Sequence, residues 1–151
     1  MSGRPTPGVR ADYPHFLTIT TRWMDNDVYQ HVNNVVYYSY FDTVVNQHLI
    51  EQGALDIATS TVIGLVVETQ CHYFSPIAFP SKVHAGLRVA RLGNSSVRYE
   101  VGLFPDDAQS SAAQGHFVHV YVDRVSNRPV ELPAALRRAL EPLVRESRAG
   151  A

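Results

Sequence analysis

A single cysteine, Cys71, stands among the 151 residues, so no internal disulfide can form and no cluster of thiolates can hold a metal. Neither sign of charge prevails. A formal net charge of -1 gives no electrostatic ground for a nucleic-acid partner, and a small, roughly neutral ligand fits better. No apolar run approaches the roughly 20 residues of a membrane-spanning helix, and the opening MSGRPTPGVR lacks the apolar centre of a secretory signal. Both absences point to the cytoplasm. HExxH, CxxC, a glycine-rich phosphate loop and a G-x-S-x-G elbow are also missing, which argues against a zinc hydrolase, a nucleotide enzyme and an α/β-hydrolase. Repeats, low-complexity tracts and linkers are not found. What remains is a chain 45% hydrophobic and 18% charged, with the length of one ordinary domain.

Periodicity supplies the elements. His15 to Trp23 is rich in aromatic and β-branched residues and reads as a first strand after a loose opening decapeptide. From Thr61 to Phe74 one parity carries Ile63, Leu65, Val67, Thr69, Cys71 and Tyr73, and the other carries Glu68, Gln70 and His72. This alternation predicts a long half-buried strand ended by Pro76 and Pro80, with Cys71 packed on its apolar face. Val83 to Val89, Val97 to Phe104 and Gly115 to Arg124 read as three more strands, the first two joined by the turn sequence GNSS. His116 and His119, three apart on the last strand, point to opposite faces and so cannot share a metal. One long helix is predicted from Asn33 or Asn34 to about Gln52, with Gly53 as its left-handed cap. Tyr37, Tyr40, Phe41, Val44, Val45 and Leu49 recur along it at threes and fours, and Val35, Val36 and Tyr38 widen the apolar surface, so the helix is expected to be enclosed. A short helix interrupted near Pro142 closes the chain. Strand, enclosed helix and a four-strand meander make an α+β domain.

Between the first strand and the long helix lies DNDVYQHVNN, Asp25 to Asn34. The first N–H groups of a helix lack intrahelical partners and its dipole favours negative charge there, so anions and developing oxyanions bind at such an end. A cap needs one Asn or Asp. Asp25, Asp27, His31, Asn33 and Asn34 together are more than capping requires.

The pattern D-x-D-x-x-x-H-V-N-N-x-x-Y after a strand, followed by an enclosed helix and a meander, resembles the hotdog-fold acyl-CoA thioesterases of the 4-hydroxybenzoyl-CoA thioesterase type. DNDVYQHVNN is also similar to the motif of the plant acyl-acyl-carrier-protein thioesterases. The resemblance spans about Tyr13 to Pro133 and implies a hotdog fold, with an antiparallel sheet of about five strands wrapped around one central helix. Residues 1–12 would be a flexible tail, 13–133 the thioesterase domain and 134–151 a C-terminal helix and tail. It implies hydrolysis of an acyl-CoA to carboxylate and thiol without metal or cofactor, coenzyme A being part of the substrate. A homodimer or homotetramer with its sites between subunits is implied as well. The catalytic carboxylate falls on Asp27, and the helix N–H that polarises the thioester carbonyl falls on Asn34. His31 matches a plant catalytic histidine, while Tyr29 stands where those enzymes carry an Asn.

The chemistry agrees with this placement. A thioester carbonyl is electrophilic and a thiolate leaves readily, so a positioned carboxylate and an oxyanion donor suffice. Asp27 can attack the carbonyl or act as general base on water, with His31 as a supporting residue that favours the second route. Tyr29, Asn33 and Tyr37 are substrate-binding candidates, although Asn33 fits a helix cap better than a catalyst. Asp25 reads as a turn or capping residue, Asp42 as a polar residue bonded within the core, and Glu68 as part of a solvated sheet face or a neighbouring subunit's pocket. Arg88, Arg91, Arg98, Arg124 and Arg128 are cations within which no phosphate contact stands out. A non-catalytic thioester-binding module is the main alternative. A hotdog hydratase or dehydratase is the other, and the Asp and His motif it needs is missing.

Overall fold

The computed structural model describes residues 5–145. Strand β1 (His15–Thr20) leads through a short 3-10 turn to helix α1 (Asn34–Glu51), and strands β2 (Val62–Tyr73), β3 (Lys82–Leu92), β4 (Ser96–Pro105) and β5 (Ala113–Asp123) follow before helix α2 (Ala134–Leu140). The strands form one antiparallel sheet in the order β1-β3-β4-β5-β2. The expected four-strand meander therefore holds only for β3, β4 and β5, while β2 crosses to the far edge and pairs with β5. The cause is the segment after β2. It is held beneath the start of α1 by the Val32 N–H donating to the Ile77 carbonyl at 2.7 Å, so the chain passes the helix before β3 begins beside β1.

Helix α1 forms where its apolar stripe can be covered. Tyr37, Tyr40, Phe41, Val44, Val45 and Leu49 face the sheet and are buried. Each such side chain stabilises the fold by about 1.5–3 kcal/mol when fully buried. The helix is covered on one side only, contrary to the expected enclosure, because a single sheet reaches half of its surface; Val35 and Ile50 remain exposed. Helix α2 adds Leu136, Ala139 and Leu140 to the same core, and its Ala139 carbonyl lies 3.0 Å from Nε2 of the buried His48.

Strand β2 departs from its predicted alternation through a bulge between Val66 and Glu68. One extra residue switches the face of everything after it. Gly64 and Val66 thus share the inner face with Thr69, Cys71 and Tyr73, while Leu65 lies outward with Glu68 and Gln70, following their partners on β5. Cys71 packs against the core from that inner face, and burial pushes its thiol up to about 11. The strand is not half-buried as the alternation suggested: Leu65, Val66 and Val67 are exposed at the sheet edge.

The outer face carries a strap. Gly86 and Gly102 lie directly opposite each other on β3 and β4, and a Cβ on either would come within 2.7 Å of the Tyr13 ring, so the pair forms a slot for that ring. Upstream, the Gly8 N–H donates to Gln114 Oε1 at 2.8 Å and Gln114 Nε2 donates to the Thr6 carbonyl at 3.1 Å. From Thr6 onward the opening segment is therefore tied to the sheet, where a loose tail was expected; residues 1–4 lie outside the described residues. Beside the strap runs a row of polar contacts, a hydrogen bond between Glu68 and His116 at 2.6 Å and the ion pairs of Glu100 with Arg88 and Arg98 at 2.8 and 3.1 Å. No helix of the described residues is long and apolar enough to cross a membrane. A five-strand antiparallel sheet curved around one long helix is the hotdog arrangement that the motif implied.

Candidate active site

Strand β1 stops at Thr20, short of the predicted Trp23, because Thr21 turns away to donate both its N–H and its hydroxyl to the Ser81 carbonyl, at 3.4 and 2.6 Å. The chain then coils through the 3-10 turn Trp23–Asp25. Asp25 is the anchor of this turn. Only 1% exposed, its carboxylate accepts from the Arg22 N–H at 2.9 Å, from the Arg22 guanidinium at 2.9 and 3.0 Å, and from the Tyr40 hydroxyl of α1 at 2.8 Å. Burial pushes this carboxyl up, but the Arg22 N–H, the Tyr40 hydroxyl and the Arg22 guanidinium together outweigh it and hold the group below its ordinary value. Its backbone carbonyl accepts from the Asn33 N–H at 2.8 Å, which ties the turn to the start of the helix.

Two residues on, Asp27 opens a tight loop. Its N–H donates to the His31 carbonyl at 2.9 Å and its carbonyl accepts from Gln30 at 3.0 Å, with Gln30 in the left-handed region at φ 66. Asp27 Oδ1 accepts from the Tyr29 N–H at 2.8 Å, while among the described residues nothing donates to Oδ2. Asn26, which sequence reasoning passed over, accepts from the Phe79 N–H at 3.1 Å and locks this loop to the segment before β3. Asn33 is the N-cap, its Oδ1 accepting from the Val35 N–H at 3.1 Å. The cap leaves the first helical N–H, that of Asn34, without an acceptor among the described residues.

Asp27, Tyr29, His31, Asn34 and Tyr37 line one cleft of about 410 Å³, which Val32 and the run Tyr73–Pro76 complete. Tyr29 is 79% exposed at its rim and Tyr37 is buried at its base, with its ring 5.0 Å from that of Tyr73. The Tyr73 hydroxyl lies 3.4 Å from the Asn34 carbonyl. This wall was not read from the sequence; Pro76 signalled only a strand end, and nothing local says that the end of β2 meets the start of α1. The His31 side chain is exposed and makes no hydrogen bond to Asp27 among the described residues.

The other candidates lie elsewhere. Asp42 is exposed on the free side of α1 and is not bonded within the core as expected, because the helix is covered on its other face. Glu68 meets His116 on the outer face. Arg88 and Arg98 pair with Glu100, and Arg124 donates to the carbonyls of Ile57 and Ser60. His116 and His119 do point to opposite faces. His119 lies inward among Tyr99, Phe117 and Tyr121, where burial pushes its imidazole down to about 4.

A comparison with curated proteins gives no match. Among solved structures, the PA5185 protein of Pseudomonas aeruginosa is 55% identical, covers 95% of this chain and 100% of its own, and superposes with a TM-score of 0.92. The PA2801 protein of the same organism is 30% identical over 84% of this chain and 98% of its own, with a TM-score of 0.78. DHNA-CoA thioesterase from Staphylococcus aureus, 17% identical over 78% of this chain and 79% of its own, shares the fold with a TM-score of 0.70. The family model of the thioesterase-like superfamily matches residues 21–140, from the end of β1 through the cleft to α2. The chain belongs to the thioesterase-like superfamily.

Proposed function

We propose that this chain is a thioester hydrolase that cleaves acyl-CoA with Asp27 as its catalytic carboxylate and the Asn34 N–H as its oxyanion donor. One observation carries this reading: Asp27 and Asn34 line one cleft at the positive end of an 18-residue helix, and among the described residues neither Asp27 Oδ2 nor the Asn34 N–H has a partner. Asp27 Oδ1 is held by the Tyr29 N–H, which leaves Oδ2 to accept from a water. Asp27 takes a proton from that water as its oxygen adds to the acyl carbon. The carbonyl oxygen becomes an alkoxide facing the Asn34 N–H, where the helix dipole stabilises it. When the intermediate collapses, the carbon–sulfur bond breaks, and the thiolate receives the proton that Asp27 held. His31 and Tyr29 at the rim orient water and substrate, and no metal or cofactor takes part.

The unit that works is a dimer. Strand β2 is an unpaired twelve-residue edge with Leu65, Val66 and Val67 exposed, the kind of edge that a soluble protein covers. A second copy of the same strand is its natural complement, since a two-fold pairs an antiparallel edge with itself. Thiol release over a panel of acyl-CoAs tests the reading. The parent is expected to turn over at least one of them and Asp27→Asn to lose about a hundredfold or more. Near-normal hydrolysis by Asp27→Asn refutes the assignment.

A further inference from the structure

The lining of the cleft is graded from wet to dry. Tyr29 and His31 are exposed at the rim, Tyr73 is 37% exposed and Tyr37 only 3%. An acyl-CoA with its carbonyl between Asp27 and Asn34 has two arms to place. The coenzyme A arm carries amides and phosphates that lose hydration when buried, so it leaves past the rim, and the apolar acyl arm takes the buried side. There it meets Tyr37 and Tyr73 as a pair. Their rings stand edge to face at 5.0 Å with planes 69° apart, and the Tyr73 hydroxyl lies 3.4 Å from the Asn34 carbonyl.

What lies behind this pair is packed. Cys71, two residues before Tyr73 on the same inner face, sits against the core. Opposite Cys71 on β5 stands Gly115, where a Cβ would strike the Gln70 carbonyl and come within 2.8 Å of the Phe41 ring. The distance to the rings is short as well. Tyr37 is three residues beyond Asn34 on α1, about 4.5 Å along the helix axis, so only a few carbons fit between the reacting carbonyl and its ring. A cleft of about 410 Å³ is near the lower end of the roughly 300–1,000 Å³ of small-molecule sites, and it must admit the thioester and the start of the coenzyme A arm too. We infer that the Tyr37–Tyr73 ring pair is the floor of the acyl pocket and restricts the substrates to thioesters of short acyl groups, with Tyr73 as the residue that sets the limit. Tyr37 belongs to the core, whereas Tyr73 stands at the end of edge strand β2 and can be cut back. This inference rests on the thioesterase reading.

Two measurements separate it from that reading. In the first, kcat/KM is followed over straight-chain acyl-CoAs from acetyl to dodecanoyl in the parent, Tyr73→Ala and Tyr73→Phe. Each methylene added short of the floor is worth about fourfold, and a chain that overruns it is expected to lose at least about tenfold, which puts the parent's peak at butanoyl or hexanoyl. Tyr73→Ala is expected to move the peak to octanoyl or beyond, and Tyr73→Phe, which keeps the ring, to leave it in place. The inference is overturned, while hydrolysis itself stands, by a parent rate that climbs through to dodecanoyl or by a Tyr73→Ala profile like the parent's. A shift in Tyr73→Phe as large as that in Tyr73→Ala overturns it equally. In the second, the non-hydrolysable thioethers S-ethyl-, S-butyl- and S-octyl-CoA are titrated calorimetrically into the parent, which needs neither cleavage nor a folded variant. Affinity is expected to peak at the butyl thioether even if no thioester is hydrolysed. Affinity that still rises at octyl, or no binding by any of the three, refutes the floor.

Discussion

The inward placement of His119 makes the stability of the protein fall with acid in a definite window. Burial pushes its imidazole from an ordinary 6.5 to about 4, because the protonated form would stand unsolvated among aromatic rings. Above pH 6.5 the group is neutral in both folded and unfolded chains and adds no pH dependence. Between 6.5 and 4 the unfolded chain binds a proton that the folded chain refuses, so folding loses free energy as the pH drops. By linkage the full loss is about 3 kcal/mol, reached near pH 4, and it levels off below that once the folded form also protonates. The assay is urea unfolding of the parent and His119→Phe at fixed protein concentration from pH 8 to pH 4, with the difference between them plotted against pH. Subtraction removes the carboxylates common to both. The difference is expected to be flat above about pH 7 and to grow in favour of the variant as the pH falls, by about 3 kcal/mol at pH 4. A difference that stays flat throughout, or an imidazole titrating near 6.5 in the folded parent, refutes the argument.

Asp25→Asn is expected to act on stability where Asp27→Asn acts on turnover: it weakens the bonds to Arg22 and Tyr40 and lowers unfolding free energy by about 2 kcal/mol in thermal or urea melts. An unchanged melt would show that the anchor is idle. Gly102→Ala places a methyl within 2.7 Å of the Tyr13 ring and is expected to destabilise by about 1–3 kcal/mol, with proteolysis near Tyr13 accelerated if the strap lifts. Val66→Lys puts a charge on the exposed edge of β2. Sedimentation at micromolar concentration is expected to show a dimeric parent and a monomeric variant with depressed kcat/KM, and a fully active monomeric parent would contradict the dimer. A single turnover in oxygen-18 water is expected to leave the peptide containing Asp27 unlabelled, as general-base attack at the acyl carbon requires. Label in that peptide would establish Asp27 as a nucleophile.

Much of the molecule was legible wherever local spacing carries the information. Helix α1 runs from Asn34 to Glu51, capped by Asn33, as the three-and-four recurrence and the Asn pair imply, because both the stripe and the cap are properties of neighbours in sequence. The placement of DNDVYQHVNN at the mouth of that helix, and the opposite facing of His116 and His119, follow from the same local rules. Long-range pairing decided the rest. Strand periodicity reports that one face is buried but not which strand lies alongside, so the passage of β2 to the far edge beside β5 was invisible. A bulge at Val67 inverts the face of every later residue without altering composition, and only register against β5 reveals it. Gly86 and Gly102 sit inside predicted strands with no local sign of a role until Tyr13, far upstream, is seen to fill the slot they share. Asp25 and Asp27 are the same residue type two positions apart in one motif. Which of them does chemistry is for the Asp27→Asn and Asp25→Asn variants to decide; what the tertiary structure decided is their surroundings, since Tyr40, a full helical turn inside α1, reaches back to bind Asp25, while the end of β2 comes round to wall the cleft that Asp27 lines.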